Sequence, residues 1–79
     1  MSSLEDIILA LTTERGPEKS ICPTDAARAF AGDDWRRVLG EVRKTAVRLA
    51  LDGRIVITRK GKPVDPLNFK GVYRLKAPA

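Results

Sequence analysis

The 79-residue sequence contains no histidine and only one cysteine, Cys22, and these absences exclude several kinds of site. A single cysteine cannot form an intrachain disulfide, and a zinc site built from cysteine and histidine lacks its ligands. Histidine is also the most frequent general base in enzymes, and the sequence has no glycine-rich phosphate-binding loop. We therefore predict a protein that is not an enzyme and that needs neither a metal nor a cofactor.

Long apolar runs are also missing. No stretch approaches the roughly 20 apolar residues of a membrane-spanning helix. The N-terminal sequence Met-Ser-Ser-Leu-Glu-Asp does not show the basic and then apolar order of a signal peptide. These features predict a soluble cytoplasmic protein with no membrane partner, and the length together with the lack of repeats predicts one domain over residues 1–79.

Acidic residues are scarce in the C-terminal third. Residues 53–79 contain seven lysines and arginines and one acidic residue, whereas residues 1–32 contain three basic and five acidic residues. The net charge of +5 is therefore concentrated in the second half, where we expect a polyanion to bind. The alternative is that these cations only keep the edge of a sheet soluble.

Two helices are predicted before residue 33. Ser2 and Ser3 can cap a helix at residues 3–14, where apolar residues follow a helical period. Residues 20–22 are expected to be extended, because a proline follows them. Pro23 suits the first turn of a second helix, which Gly32 ends. Its expected buried side is formed by Ala26, Ala27 and Phe30.

A third helical segment is predicted from Asp33 or Asp34 to about Leu51. Its apolar side begins at Trp35, which we expect to be buried against the first two helices. Gly40 weakens the middle of the segment by about 1 kcal/mol relative to alanine, and a break there is expected. The opposite side carries the cations Arg37, Lys44 and Arg48.

The apolar period changes from helical to alternating after Gly53. Residues 54–59 are rich in β-branched side chains and predict a strand, and residues 71–75 predict a returning strand. Residues 60–70 contain two prolines and predict a loop between them. The fold class is thus mainly α with a small antiparallel β ribbon. The order helix, short strand, helix, helix, strand, loop, strand is that of a winged helix-turn-helix.

Such a fold suggests duplex DNA as the partner. Its third helix enters the major groove, and its wing loop reaches the phosphate backbone or the minor groove. The exposed side of the third helix has no Asn, Gln or Ser to read bases, so we expect little sequence preference. A charged side opposite a buried one is also common on surface helices without any ligand. The candidate phosphate-binding residues are Arg37, Lys44, Arg48, Lys60, Lys62 and Lys70.

A protein partner is the alternative to DNA. Val64, Leu67 and Phe69 in the loop could dock such a partner, or they could fold back over the core. The sequence does not distinguish a monomer from a weak homodimer.

Several short runs between about residues 20 and 76 are distinctive. They are Ile21-Cys22-Pro23, Ala27-Arg28, Trp35-Arg36, Val42-Arg43, Ala46, Leu49-Ala50, Gly53, Lys60-Gly61, Val64-Asp65-Pro66, Gly71 and Arg74-Leu75. In these runs the sequence resembles a family of short bacterial proteins known only as domain of unknown function 3253. The resemblance implies a winged-helix fold and a bacterial cytoplasmic protein, and it implies no activity.

The resemblance also directs attention to Cys22, Arg28, Arg36, Arg43, Asp65 and Arg74. Of these, Arg36, Arg43 and Arg74 lie near core-facing positions or within a strand. One interpretation is a structural network in which Asp65 ties the wing to Arg43 or Arg74. The other is an anion pocket, since guanidinium groups bind phosphate and carboxylate well. Cys22 has two interpretations as well, a small buried or capping residue or a redox-active thiol.

Overall fold

The protein consists of three α-helices followed by a three-stranded antiparallel sheet. The structure is a computed structural model and describes residues 3–79. Its elements are α1 (Leu4–Arg15), α2 (Pro23–Ala31), a 3₁₀ helix (Gly32–Val38), α3 (Leu39–Leu51), β1 (Val56–Arg59), β2 (Lys62–Pro63) and β3 (Arg74–Lys76). The strand order is β2-β1-β3. The predicted fold class is confirmed, and the arrangement is winged-helix-like. No helix within residues 3–79 is both long and apolar enough to cross a membrane.

Local capping sets the limits of α1 as predicted. The Ser3 hydroxyl accepts a hydrogen bond from the Asp6 backbone N–H at 3.1 Å, which satisfies one of the unpaired donors of the first turn. At the other end Gly16 has a φ of 80° and donates its N–H to the Thr12 carbonyl. Ser2, the other predicted capping residue, lies outside the described residues.

Helix α2 begins at the proline as predicted, but one part of its buried side is wrong. The Cys22 N–H donates to the Asp25 carboxylate at 2.9 Å, which fixes the first turn. Ala26 and Ala27 are buried, whereas Phe30 is 45% exposed. All buried residues of α2 lie in its first five positions, so the last turn extends past the core and leaves Phe30 in solvent.

The third predicted helix is divided in two. The chain winds as a 3₁₀ helix as far as Val38, whose φ of −101° and ψ of 2° mark the change, and α3 begins at the next residue. The expected break near Gly40 is therefore confirmed to within two residues. Because a 3₁₀ helix has three residues per turn, its side chains are out of phase with those of α3. Trp35 is only half-buried, which corrects its expected burial, and Arg37 does not share a helix with Lys44.

The sheet is joined to the helical part through the segment before α2. Ile21 and Leu75 exchange two backbone hydrogen bonds of 2.7 and 2.9 Å, which adds Ile21 to the sheet beside β3. This pairing confirms the expected extended segment at residues 20–22. Both side chains are fully buried, together with Ile57 of β1 and Leu49 of α3. The core therefore lies between the helices and one side of the sheet.

Candidate nucleic-acid interface

The wing, residues 59–73, starts with a two-residue hairpin turn. β1 and β2 pair with Arg59 opposite Lys62, so only Lys60 and Gly61 lie between them. Both have positive φ, 52° and 80°, which is the conformation of a type I′ turn. A left-handed conformation costs a non-glycine residue roughly 1–2 kcal/mol. Lys60 adopts this conformation at the tip of the wing, where its side chain is exposed.

The second half of the wing is an asparagine- and proline-containing turn stabilised by Asp65. The Asp65 carboxylate accepts from the Leu67 N–H at 2.9 Å, and its carbonyl accepts from the Asn68 N–H at 3.0 Å. Asp65 is exposed, and within residues 3–79 it forms no ion pair with Arg43 or Arg74. The predicted Asp65–arginine contact is thus wrong, because the carboxylate is used by its own turn.

Arg43 holds the wing by a different contact. Its Nη2 donates to the Phe69 carbonyl at 2.7 Å, and its guanidinium carbon lies 4.0 Å from the centre of the Phe69 ring. The same guanidinium is 5.7 Å from the Tyr73 ring, which meets Phe69 edge to face at 5.2 Å. A hydrogen bond and a cation–π contact therefore fix the wing to α3.

The pKa of Tyr73 is shifted by this environment. Burial raises the pKa of its hydroxyl above the ordinary value of 10.0, and the nearby positive charge of Arg43 partly offsets the rise. The phenol therefore stays neutral and protonated at physiological pH.

The remaining arginines of the proposed network lie apart from Arg43. Arg74 donates to the Ser20 hydroxyl at 2.6 Å and to the Ser20 carbonyl at 3.1 Å, which fastens β3 to the segment before α2. Arg36 lies over the Trp35 ring at 4.3 Å, and Arg28 lies 4.9 Å from the same ring. The four residues Arg36, Arg43, Asp65 and Arg74 thus have four separate sets of contacts and do not form one network.

Arg59 forms a contact within the wing that was not predicted from the sequence. Its Nε donates to the Val72 carbonyl at 3.0 Å, across the wing from β1 to the segment before β3. Gly71 has a φ of 84°, and a Cβ at this position would lie 2.8 Å from Arg59 Nη2. The signal for this contact was a cation at the end of the first strand together with a glycine just before the second.

Two cations on α3, Lys44 and Arg48, have acidic partners, whereas Arg43 has no carboxylate within 4.0 Å among residues 3–79. Lys44 lies 3.8 Å from Glu41 on the same helix, and Arg48 lies 3.1 Å from Glu5 of α1. Glu5 also binds Arg54 at 3.0 Å. The positive charges of Lys44 and Arg48 on the outer side of α3 are therefore partly neutralised by these carboxylates.

The wing keeps its positive charge. We define the wing cations as Arg59, Lys60, Lys62 and Lys70, and in the part of the chain that the structure describes none of them lies within 4.0 Å of a carboxylate. The three lysines are exposed, and Arg37 on the 3₁₀ helix is likewise exposed and without an acidic partner there. The structure thus separates the six predicted phosphate-binding residues into two paired and four unpaired cations.

Comparison with protein-family models identifies the family of this chain. Residues 1–78 match the model of a family described as protein of unknown function (DUF3253). No curated protein matches the sequence.

Proposed function

The chain belongs to the DUF3253 family of proteins of unknown function, and we propose that it binds duplex DNA. The wing cations and Arg37 provide the contacts to phosphate. The observation that carries the proposal is that these cations lack acidic partners within residues 3–79, while Lys44 and Arg48 on the exposed side of α3 have them. Such a role agrees with the bacterial cytoplasmic setting that the family resemblance implies.

The wing, rather than α3, is the main contact in this proposal. A phosphate that approaches α3 meets Lys44 beside Glu41, and Arg48 beside Glu5, so each cation is partly neutralised before it can act. The tip of the wing offers Lys60 in the two-residue turn and Lys62 at the start of β2, and within residues 3–79 neither lies within 4.0 Å of a carboxylate. Long cationic side chains on a rigid projection suit contacts to a phosphate backbone.

Sequence preference is expected to be weak. The exposed positions of α3 include Gly40, Glu41, Lys44 and Arg48. Arginine reads guanine through a bidentate contact, but Arg48 already donates to Glu5 at 3.1 Å. Binding that depends mainly on phosphate contacts is strongly salt-dependent and nearly independent of sequence.

Docking of a protein through the wing is less well supported than DNA binding. Phe69 is 8% exposed and packs into the core, and Val64 is half-buried, whereas Leu67 is 73% exposed. Two of the three residues considered for this role thus fold back over the core. Leu67 and Val72, which is 83% exposed, are the large hydrophobic side chains of the wing that are exposed within residues 3–79, and they make a small apolar surface for a partner.

Titration of short duplexes of two unrelated sequences, at about 50 and about 200 mM salt, tests the proposal. We expect dissociation constants of roughly 10⁻⁴–10⁻⁶ M near physiological salt. The logarithm of the association constant should fall with the logarithm of salt concentration with a slope of about −3.6 if four phosphates are neutralised. Replacement of Lys60, Lys62 and Lys70 by alanine together should flatten the slope by about 2.7, because three phosphate contacts are lost.

The matched control is the α3 double variant Lys44→Ala and Arg48→Ala, which should flatten the slope by less than about one unit. If the wing and helix variants change the slope equally, the wing is not the main contact. If the unchanged protein does not bind even at low salt, DNA binding is excluded and a protein partner becomes the better proposal.

A further inference from the structure

A groove opens between the helices and the last part of the wing. It has a volume of about 610 Å³ and lies between the first turn of α2, the start of α3 and residues 71–73. Pro23, Leu39, Val72 and Tyr73 provide most of its apolar walls. Val72 is 83% exposed, so an apolar side chain stands uncovered at the edge of the groove.

Arg43 is the charged side chain among the residues that line this groove. It is half-buried, and no carboxylate within residues 3–79 lies within 4.0 Å of it. Of the two acidic residues closest in sequence to the walls, Asp25 accepts from the N–H of Cys22, which itself lines the groove, and Glu41 lies 3.8 Å from Lys44. The positive charge of Arg43 in the groove therefore has no carboxylate paired with it within residues 3–79.

The contacts of Arg43 leave part of its guanidinium available. One N–H of Nη2 is used by the Phe69 carbonyl, and one planar side is covered by the Phe69 ring. A guanidinium has five N–H donors, so donors remain for a second acceptor. Two of these in parallel match the two oxygens of a carboxylate.

We propose that this groove binds a small amphipathic monocarboxylate, with the carboxylate on Arg43 and an aliphatic or aromatic body against Leu39, Val72 and Tyr73. The volume lies within the range of small-molecule sites, which are mostly apolar with a few polar groups that fix orientation. One cation among apolar walls favours a ligand with one negative charge and an apolar body. This site is independent of nucleic-acid binding, because it is not formed by Lys60, Lys62 or Lys70.

Hexanoate is the probe for this site, and 1-hexanol and acetate are its matched controls. The first control keeps the apolar chain without the charge, and the second keeps the charge without the chain. In two-dimensional NMR titrations we expect hexanoate to shift the amide signals of Gly40, Arg43 and residues 71–73 in a saturable manner. A charge-assisted hydrogen bond corresponds to roughly tenfold in affinity, so hexanol should bind about tenfold more weakly. Acetate lacks four methylene groups of the apolar chain, so it should also bind at least about tenfold more weakly.

A pair of variants separates the groove from general charge effects. Val72→Glu places a carboxylate at the edge of the groove and should abolish hexanoate binding. We expect the fold to be retained, because this side chain is 83% exposed. Leu67→Glu makes the same change in charge at another exposed residue, outside the groove lining, and should leave binding intact. Equal affinity for hexanoate and hexanol, equal loss in both variants, or shifts confined to the lysines of the wing would each overturn the proposal.

Discussion

Helix α3 and the wing contain the same kinds of cationic residue and use them differently. On α3, Lys44 and Arg48 lie beside carboxylates, which partly neutralise their charges. In the wing region, Arg59 donates to the Val72 carbonyl, and Arg43 donates from α3 to the Phe69 carbonyl. A carbonyl accepts a hydrogen bond without removing the donor's charge. The same contacts that order the wing therefore leave it positively charged.

The difference follows from the backbone. A helix satisfies its own carbonyls, so its long side chains are free to pair with each other. Between β2 and β3 the chain runs through residues 64–73 with few strand hydrogen bonds, and some of its carbonyls need side-chain donors. Arginine meets this need, and a positive surface is the result.

Removal of the Arg43 side chain should have the largest effect on the stability of the protein. Arg43→Ala leaves the Phe69 carbonyl without its donor and removes the cation–π contact, so we expect the free energy of unfolding to fall by about 1.5–3 kcal/mol. Urea unfolding followed by tryptophan fluorescence measures this change. The neighbouring Lys44→Ala, on the exposed side of α3, should stay within about 0.5 kcal/mol of the unchanged protein. Equal effects of the two changes would show that Arg43 does not hold the wing.

Lys60→Asn should have an intermediate effect and should separate stability from binding. Asparagine is favoured before glycine in a type I′ turn, so we expect a stability gain of up to about 1 kcal/mol. The DNA salt slope should flatten by about 0.9, because one phosphate contact is lost. Lys62→Asn is the control, since it loses the same charge without improving the turn. A more stable protein with an unchanged slope would show that Lys60 has no contact with phosphate.

Arg48→Ala should have the smallest effect. Exposed ion pairs contribute about 0.2–1 kcal/mol, and Glu5 keeps Arg54 as a partner. The DNA salt slope should barely change. The opposite change, Glu5→Gln, removes the carboxylate that contacts both Arg48 and Arg54 and should steepen the slope by less than about 0.9, because this side is not the main contact. No steepening in Glu5→Gln would show that this side of α3 does not face the DNA.

The helices could be predicted from sequence because their limits are set locally. Ser3, Gly16, Pro23 and Gly32 each act within a few positions of themselves, through a cap, a positive φ or a fixed proline ring. The alternation at Ile55 and Ile57 predicted the first strand for the same reason. β2 was missed because it has only two residues and one of them is Pro63.

The side-chain contacts could be predicted much less well, because they join distant positions. Arg43 and Phe69 are 26 positions apart, and no local pattern indicates that the Arg43 guanidinium donates to the Phe69 carbonyl. For Asp65, by contrast, the sequence itself indicates a local contact. Aspartate before proline readily accepts from the backbone two residues further on, and this turn competes with any distant arginine.

The pairing of Ile21 with Leu75 determines when the sheet can be completed during folding. The adjacent contact of Ser20 with Arg74 joins residues 54 positions apart, so the chain between them has to be ordered before these bonds compensate for the entropy of closing so long a loop. Helices and a tight hairpin form locally within about 10 microseconds. We therefore expect the Ile21–Leu75 bonds to form after the rate-limiting step. They would then slow unfolding and prolong the lifetime of the native state, without accelerating folding.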